Sequence, residues 1–132
     1  MKRYVYDAGA LGLLLAGDNR LKNFVAEVSR GHASAHASVI NLAEFYYKTG
    51  QKLGLETAET WFLRIVNSKL QVENADTILA RQAGIHKIHY RDKLSLADCF
   101  AVAEAARQKA VLLTTDEDLE KIKEIEARYF KA

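Results

Sequence analysis

Short, β-prone runs alternate with helix-spaced stretches along the whole chain, and no other feature restricts its fold so strongly. The runs are residues 2–6, 33–37, 69–72 and 111–114. Strands separated by whole helices pair in parallel, with right-handed crossovers and helices on both faces of the sheet. Val111-Leu-Leu-Thr114 suits an inner strand best, being short, apolar and β-branched. The expected fold is α/β, with a central parallel sheet of four to five short strands. A length of 132 residues with 49% hydrophobic content is enough for one domain, residues 1–132.

The intervening stretches carry their own boundaries. Residues 8–16 turn helical directly after the first run, which leaves Asp7 at a strand's carboxyl end, where open α/β sheets place ligands. Leu21, Phe24, Val25 and Val28 recur at helical spacing, and Gly31 breaks the chain before the second run. Ser38 fits the N-cap of a helix through Val39, Leu42, Phe45 and Tyr46 that ends around Gly50 and Gly54. Helices are also expected over residues 56–67, with Trp61, Phe62 and Ile65, and over 75–90, with Gly84 as its weak point. Ser95 opens an apolar helix to Gln108, while residues 124–130 suit either a helical extension or an edge strand.

A net charge of +2 excludes a polycation that coats nucleic acid indiscriminately, so any such contact is local. One cysteine, Cys99, excludes an internal disulfide. Neither a leader-like start nor an apolar run of about 18 residues is present, so a cytoplasmic protein without a membrane span is expected.

Four acids occupy apolar settings. Asp98 lies within Leu94-Ser-Leu-Ala-Asp-Cys-Phe-Ala-Val-Ala-Glu-Ala-Ala106, with Leu94, Ser95, Ala101 and Val102 at helical spacing and no basic side chain within a turn. A lone carboxylate leaves water only at a cost of several kcal/mol unless it is paired. Asp7 is the only charge between Tyr4 and Gly17, Glu44 the only one between Ala37 and Tyr47, and Asp116 directly follows Val111-Leu-Leu-Thr-Thr115. Carboxylates gathered at one place repel and need a cation or protons. Hard oxygen donors without Cys or His suit Mg²⁺ or Mn²⁺ better than zinc. Such an ion fits phosphodiester hydrolysis, and with no histidine indicated nearby, water rather than a side chain is the expected nucleophile.

The segments Tyr6-Asp7-Ala-Gly-Ala-Leu11, Asn41-Leu-Ala-Glu44-Phe, Leu96-Ala-Asp98-Cys-Phe-Ala101 and Leu113-Thr-Thr-Asp116-Glu-Asp-Leu119, in this order, resemble the PIN domain and, within it, the VapC-type ribonuclease toxins. The resemblance implies a three-layer α/β/α sandwich and a Mg²⁺- or Mn²⁺-dependent endoribonuclease. It implies Asp7, Glu44, Asp98 and Asp116 as catalytic, metal-binding acids, Thr114 as their polar neighbour and Asp118 as a fifth acid. It further implies a homodimer and a VapB-type antitoxin. Many relatives carry Ser or Thr two residues after the first aspartate, whereas this chain has Gly9.

Simpler roles stand beside these. Asp7 and Asp116 suit N-caps, Ser95-Leu-Ala-Asp98 matches a capping box, and Glu44 can pair with Lys48. His32 and His36 would suit zinc if helical, though Ala33-Ser-Ala35 between them reads as strand or loop. Lys48, Arg91 and Lys93 are candidate RNA contacts, with Lys52, Arg81, His86, Lys87 and His89 as further basic surface. Cys99 fits a small buried thiol, and Trp61 and Phe62 fit either the core or a dimer contact. Two rival functions remain: an acidic-pocket phosphatase or phosphoacceptor domain, for which a second aspartate is expected where Gly9 stands, and a non-catalytic module binding RNA or protein.

Overall fold

The computed structural model describes residues 1–132. Its elements run β1 (Lys2–Tyr6), α1 (Ala8–Leu15), a 3-10 turn (Asn19–Leu21), α2 (Lys22–Ser29), β2 (Ala33–Ser38), α3 (Val39–Leu53), α4 (Leu55–Val66) and β3 (Gln71–Glu73). Then follow α5 (Thr77–Tyr90), a second 3-10 turn (Arg91–Lys93), α6 (Leu96–Gln108), β4 (Val111–Thr114), α7 (Glu117–Glu120) and β5 (Glu126–Tyr129).

All five strands are parallel, in the order β3-β2-β1-β4-β5. The chain builds outward from β1 to β3, then returns to place β4 on the other side of β1. Between β1 and β4 the winding direction reverses, and in such sheets the crevice beyond the strands' carboxyl ends at that point takes ligands. Tyr6 pairs with Leu113 there, so Asp7 and Asp116 leave the sheet on one rim.

Alternation along the strands sorts the core into two layers. Tyr4 and Tyr6 of β1 face Leu11, Phe24, Phe45 and Ile65 of α1–α4. Val5 and Leu112 face Leu79, Val102 and Leu119 of α5–α7. The result is the expected α/β/α sandwich. None of its helices is long and apolar enough to cross a membrane.

Two element starts differ from those expected of the sequence for a clear local reason. The third strand starts at Gln71 rather than Lys69, because Ser68 Oγ donates to Ile65 O at 2.6 Å and accepts from Leu70 N at 3.2 Å, closing a turn. Helix α5 starts at Thr77 because the Asp76 side chain accepts from Leu79 N at 2.8 Å as its N-cap. Of the two forms left open for residues 124–130, residues 126–129 take the edge strand, since period-two alternation lets Ala127 pack inward while the backbone pairs with β4.

Candidate active site

Each of the four acids has a local hydrogen-bonding role. Asp7 caps α1, with Oδ1 accepting from Ala10 N at 2.8 Å, and its own N–H donates to Leu113 O at 3.2 Å. Asp116 caps α7, with Oδ1 accepting from Asp118 N at 2.9 Å. Asp98 completes the capping box at the start of α6: Ser95 N donates to Asp98 Oδ2 and Asp98 N donates to Ser95 Oγ, both at 3.1 Å. Glu44 pairs with Lys48 at 3.0 Å. Three of the acids thus sit at helix amino termini, where the backbone favours negative charge.

These roles aim the carboxylates toward one another rather than apart. The β1–β4 register brings Asp7 to the Asp116 side of the rim. Asn41 Nδ2 donates to Ala97 O at 3.0 Å and so ties α3 to α6, holding the Glu44 turn against the Asp98 turn. The Asp7 carboxyl, only 4% exposed, is pushed up to about 6, first by burial and then by the charges of Asp98 and Glu44, against the Thr114 hydroxyl and the Ala10 N–H. Asp98 also rises to about 6, again chiefly by burial, with the charge of Asp116 and a hydrogen bond between the two carboxyls adding to it while the Ser95 amide opposes it. Carboxyls whose charges push each other's pKa upward are relieved by a shared proton or by a cation.

The donor set is all oxygen, which fits a hard divalent cation. Even so, no three His, Cys, Asp or Glu side chains stand gathered in metal-ligating geometry. The Lys48 ammonium supplies a positive charge beside the acids, bonded to Glu44 and within the field of Asp98. Thr114 is fully buried, and its Oγ1 accepts from Asp116 N at 2.9 Å, so it braces both strand-end acids.

The remaining candidates separate. Asp118 is exposed and gives the site only its backbone N–H. Arg91 and Lys93 are exposed in the turn leading to Ser95, without ion-pair partners. Lys87 is committed to the Arg91 and Leu94 carbonyls at 2.7 and 2.8 Å, and His86 stands 3.9 Å from Glu124. His32 and His36 make no zinc pair, because residues 33–38 are strand and both ring nitrogens of His36 are taken, by Ser34 Oγ at 2.8 Å and Glu73 Oε2 at 2.7 Å. Cys99 is buried, which raises its thiol pKa. Trp61 stacks on Phe45 at 6.3 Å, against the core.

The sequence matches the PIN domain over residues 4–125. The chain belongs to the PIN-domain family. Its backbone resembles that of VapBC2 from Rickettsia felis, solved bound to a DNA fragment from their promoter, with TM-score 0.77 and 16% identity over 98% of this chain and 99% of that one. DNA-bound VapBC from Salmonella typhimurium gives TM-score 0.75 and 20% identity, covering 98% of each chain. VapC20 from Mycobacterium tuberculosis, a sarcin-ricin loop cleaving toxin, gives 0.69 and 18%, covering 93% of this chain and 98% of that one. No curated protein matches in sequence.

Within this PIN domain the sequence pattern assigned no role to Asn41. It is wholly buried, and its Oδ1 is the one buried side-chain polar atom without a hydrogen bond. An amide among Val39, Ile40 and Leu42, one turn before Glu44, was the available signal.

Proposed function

We propose that this PIN-domain protein is an endoribonuclease that hydrolyses RNA phosphodiester bonds with Mg²⁺ or Mn²⁺, and that it acts in the cytoplasm as the toxin of a VapBC-type pair. The observation that carries the reading is the acid group itself. Asp7 and Asp98 are both pushed up to about 6, chiefly by burial, with the charges of Asp98 and Glu44 adding to the first and that of Asp116 to the second, at the point where the sheet reverses its winding. A stable fold has no use for uncompensated repulsion there, whereas a site awaiting a cation does.

Asp7, Glu44, Asp98 and Asp116 would hold the ion, which when bound neutralises the acids, binds phosphate oxygens and lowers the pKa of a water. Thr114 keeps Asp7 and Asp116 in register, and Asn41 keeps Glu44 beside Asp98. Exposed Lys48, Arg91 and Lys93 would meet the RNA backbone, since phosphate contacts position a strand without reading its sequence. The likeness to chains solved as VapBC complexes supports a VapB-type antitoxin as partner, and a homodimer is proposed as the working unit.

The deciding experiment is cleavage of a single-stranded RNA in Mg²⁺ by the wild type and by Asp98→Asn, which keeps size and removes charge. Loss of cleavage in the variant is the expected result. Equal rates would mean that the acids are not the active site. Turnover of a small phosphomonoester without RNA cleavage would point instead to a phosphatase.

A further inference from the structure

Gly9 lies in the first turn of α1, two residues past Asp7, and its φ is not in the left-handed region. Space, not backbone conformation, is what requires glycine there. A Cβ at this position would overlap Thr115 Oγ1 and lie 2.9 Å from Thr115 Cβ and 3.0 Å from its Cγ2. Residues 9 and 115 therefore compete for one volume, and Thr115 occupies it.

Thr115 stands between two residues already engaged at the rim. Thr114 Oγ1 accepts from Asp116 N and faces the Asp7 carboxyl, while Asp116 caps α7. The Thr115 hydroxyl, by contrast, is half-buried and has no hydrogen-bond partner in the protein. An uncommitted hydroxyl thus sits between the helix that Asp7 caps and the turn that carries Asp116.

We infer that Thr115 is a positioning residue of the acidic site: its hydroxyl, delivered from the β4 side into the space Gly9 leaves open, supports a divalent cation held by Asp7 and Asp116 from outside the direct ligands. The inference rests on the metal-dependent reading above. Groups just outside a metal's ligands fix their orientation, and their loss typically costs ten- to a hundredfold in affinity or activity.

The test uses Mn²⁺ alone, titrated calorimetrically into the metal-stripped protein, together with the Mn²⁺ concentration that half-saturates RNA cleavage. Thr115→Val, which keeps the shape and removes the hydroxyl, is expected to weaken Mn²⁺ binding about tenfold and to raise the half-saturating concentration in parallel. Moving the hydroxyl across the gap with Gly9→Ser plus Thr115→Gly is expected to restore binding to within about threefold of wild type. Gly9→Ala plus Thr115→Gly fills the same volume without a hydroxyl and is expected not to restore it. Wild-type Mn²⁺ affinity in Thr115→Val, or equal rescue by the alanine and serine pairs, would overturn the inference. Asp98→Asn run alongside separates the two levels. If it retains full cleavage, the nuclease reading fails; if it is inactive while Thr115→Val behaves as wild type, only the role of Thr115 fails.

Discussion

Asp98 and Glu104 lie on the same helix, α6, and both leave water, yet their surroundings are opposite. Glu104 is 0% exposed and its oxygens are filled: Arg107 Nη2 donates at 2.8 Å and Gln108 Nε2 at 3.0 Å, while Arg107 Nη1 reaches on to Asp76 at 2.8 Å. No guanidinium reaches Asp98. Its neighbours are the Ser95 amide and a second carboxyl, Asp116. Glu104 is neutralised within the fold and fastens α6 to the turn before α5. Asp98 faces other acids and carries repulsion that packing alone does not relieve. The character of the partners, more than the depth of burial, separates Glu104, a structural carboxylate, from Asp98, the one proposed to be functional.

The strongest break of this comparison is Asp98→Asn. Cleavage of RNA is expected to fall at least about a hundredfold, because a group inside the site should cost no less than one just outside it. Unfolding in urea without metal should show no loss of stability, since the amide still accepts from Ser95 and one repelling charge is gone. A variant that lost stability and kept cleavage would make Asp98 a second Glu104.

A large effect is also expected from pH. Asp7 rises from an ordinary 3.8 to about 6 in the folded protein, so folding favours its neutral form. The stability this supplies is fully present below the unfolded value and is lost as pH rises through the folded one. Metal-stripped protein should therefore lose up to about 3 kcal/mol from this group between about pH 4 and pH 7. Asp7→Asn should flatten that slope, as should added Mn²⁺. Urea unfolding across the range checks both, and a slope unchanged by Asp7→Asn would assign the pH response to other groups.

Glu104→Gln should do the reverse of Asp98→Asn. It removes the charge that Arg107 answers, and because the Arg107 side chain keeps 33% exposure the cost should be about 2 kcal/mol, below that of a fully buried pair. RNA cleavage well below the melting temperature should stay within about twofold, consistent with additivity between distant sites. A larger drop in cleavage would show that the α6 clamp is coupled to the acids at its other end.

The contrast also explains what the sequence disclosed. The strands were visible because short β-prone runs broke the helical period, and Asp7, Glu44, Asp98 and Asp116 because each was a single charge in an apolar stretch. Glu104 passed as part of the apolar run. Arg107 three residues on was readable as its partner, but Asp76, which completes the clamp, is 31 residues from Arg107. Asn41 reaches Ala97 across 56 residues, and the Gly9–Thr115 exclusion spans the sheet from β1 to β4. Periodicity reports which way a side chain points within its own element. It does not report which side chains from other elements meet it, and so the acids were legible while the groups that aim them were not.

The smallest expected effect separates two roles for Lys48. Its bond to Glu44 at 3.0 Å joins helix positions four apart, with the lysine side chain 61% exposed, so Lys48→Ala should change stability by less than about 0.5 kcal/mol. A surface pair of that kind would leave catalysis untouched. Lys48 also lies in the field of Asp98, which puts its ammonium at the mouth of the acid group. If it meets RNA phosphate there, the variant should need several-fold more RNA for half-maximal rate. The logarithmic salt dependence of binding should also become shallower by about 0.7, because one phosphate fewer on the single strand is neutralised. A binding curve and salt slope identical to wild type would reduce Lys48 to a helix-surface partner of Glu44 and leave Arg91 and Lys93 as the cations that face the strand.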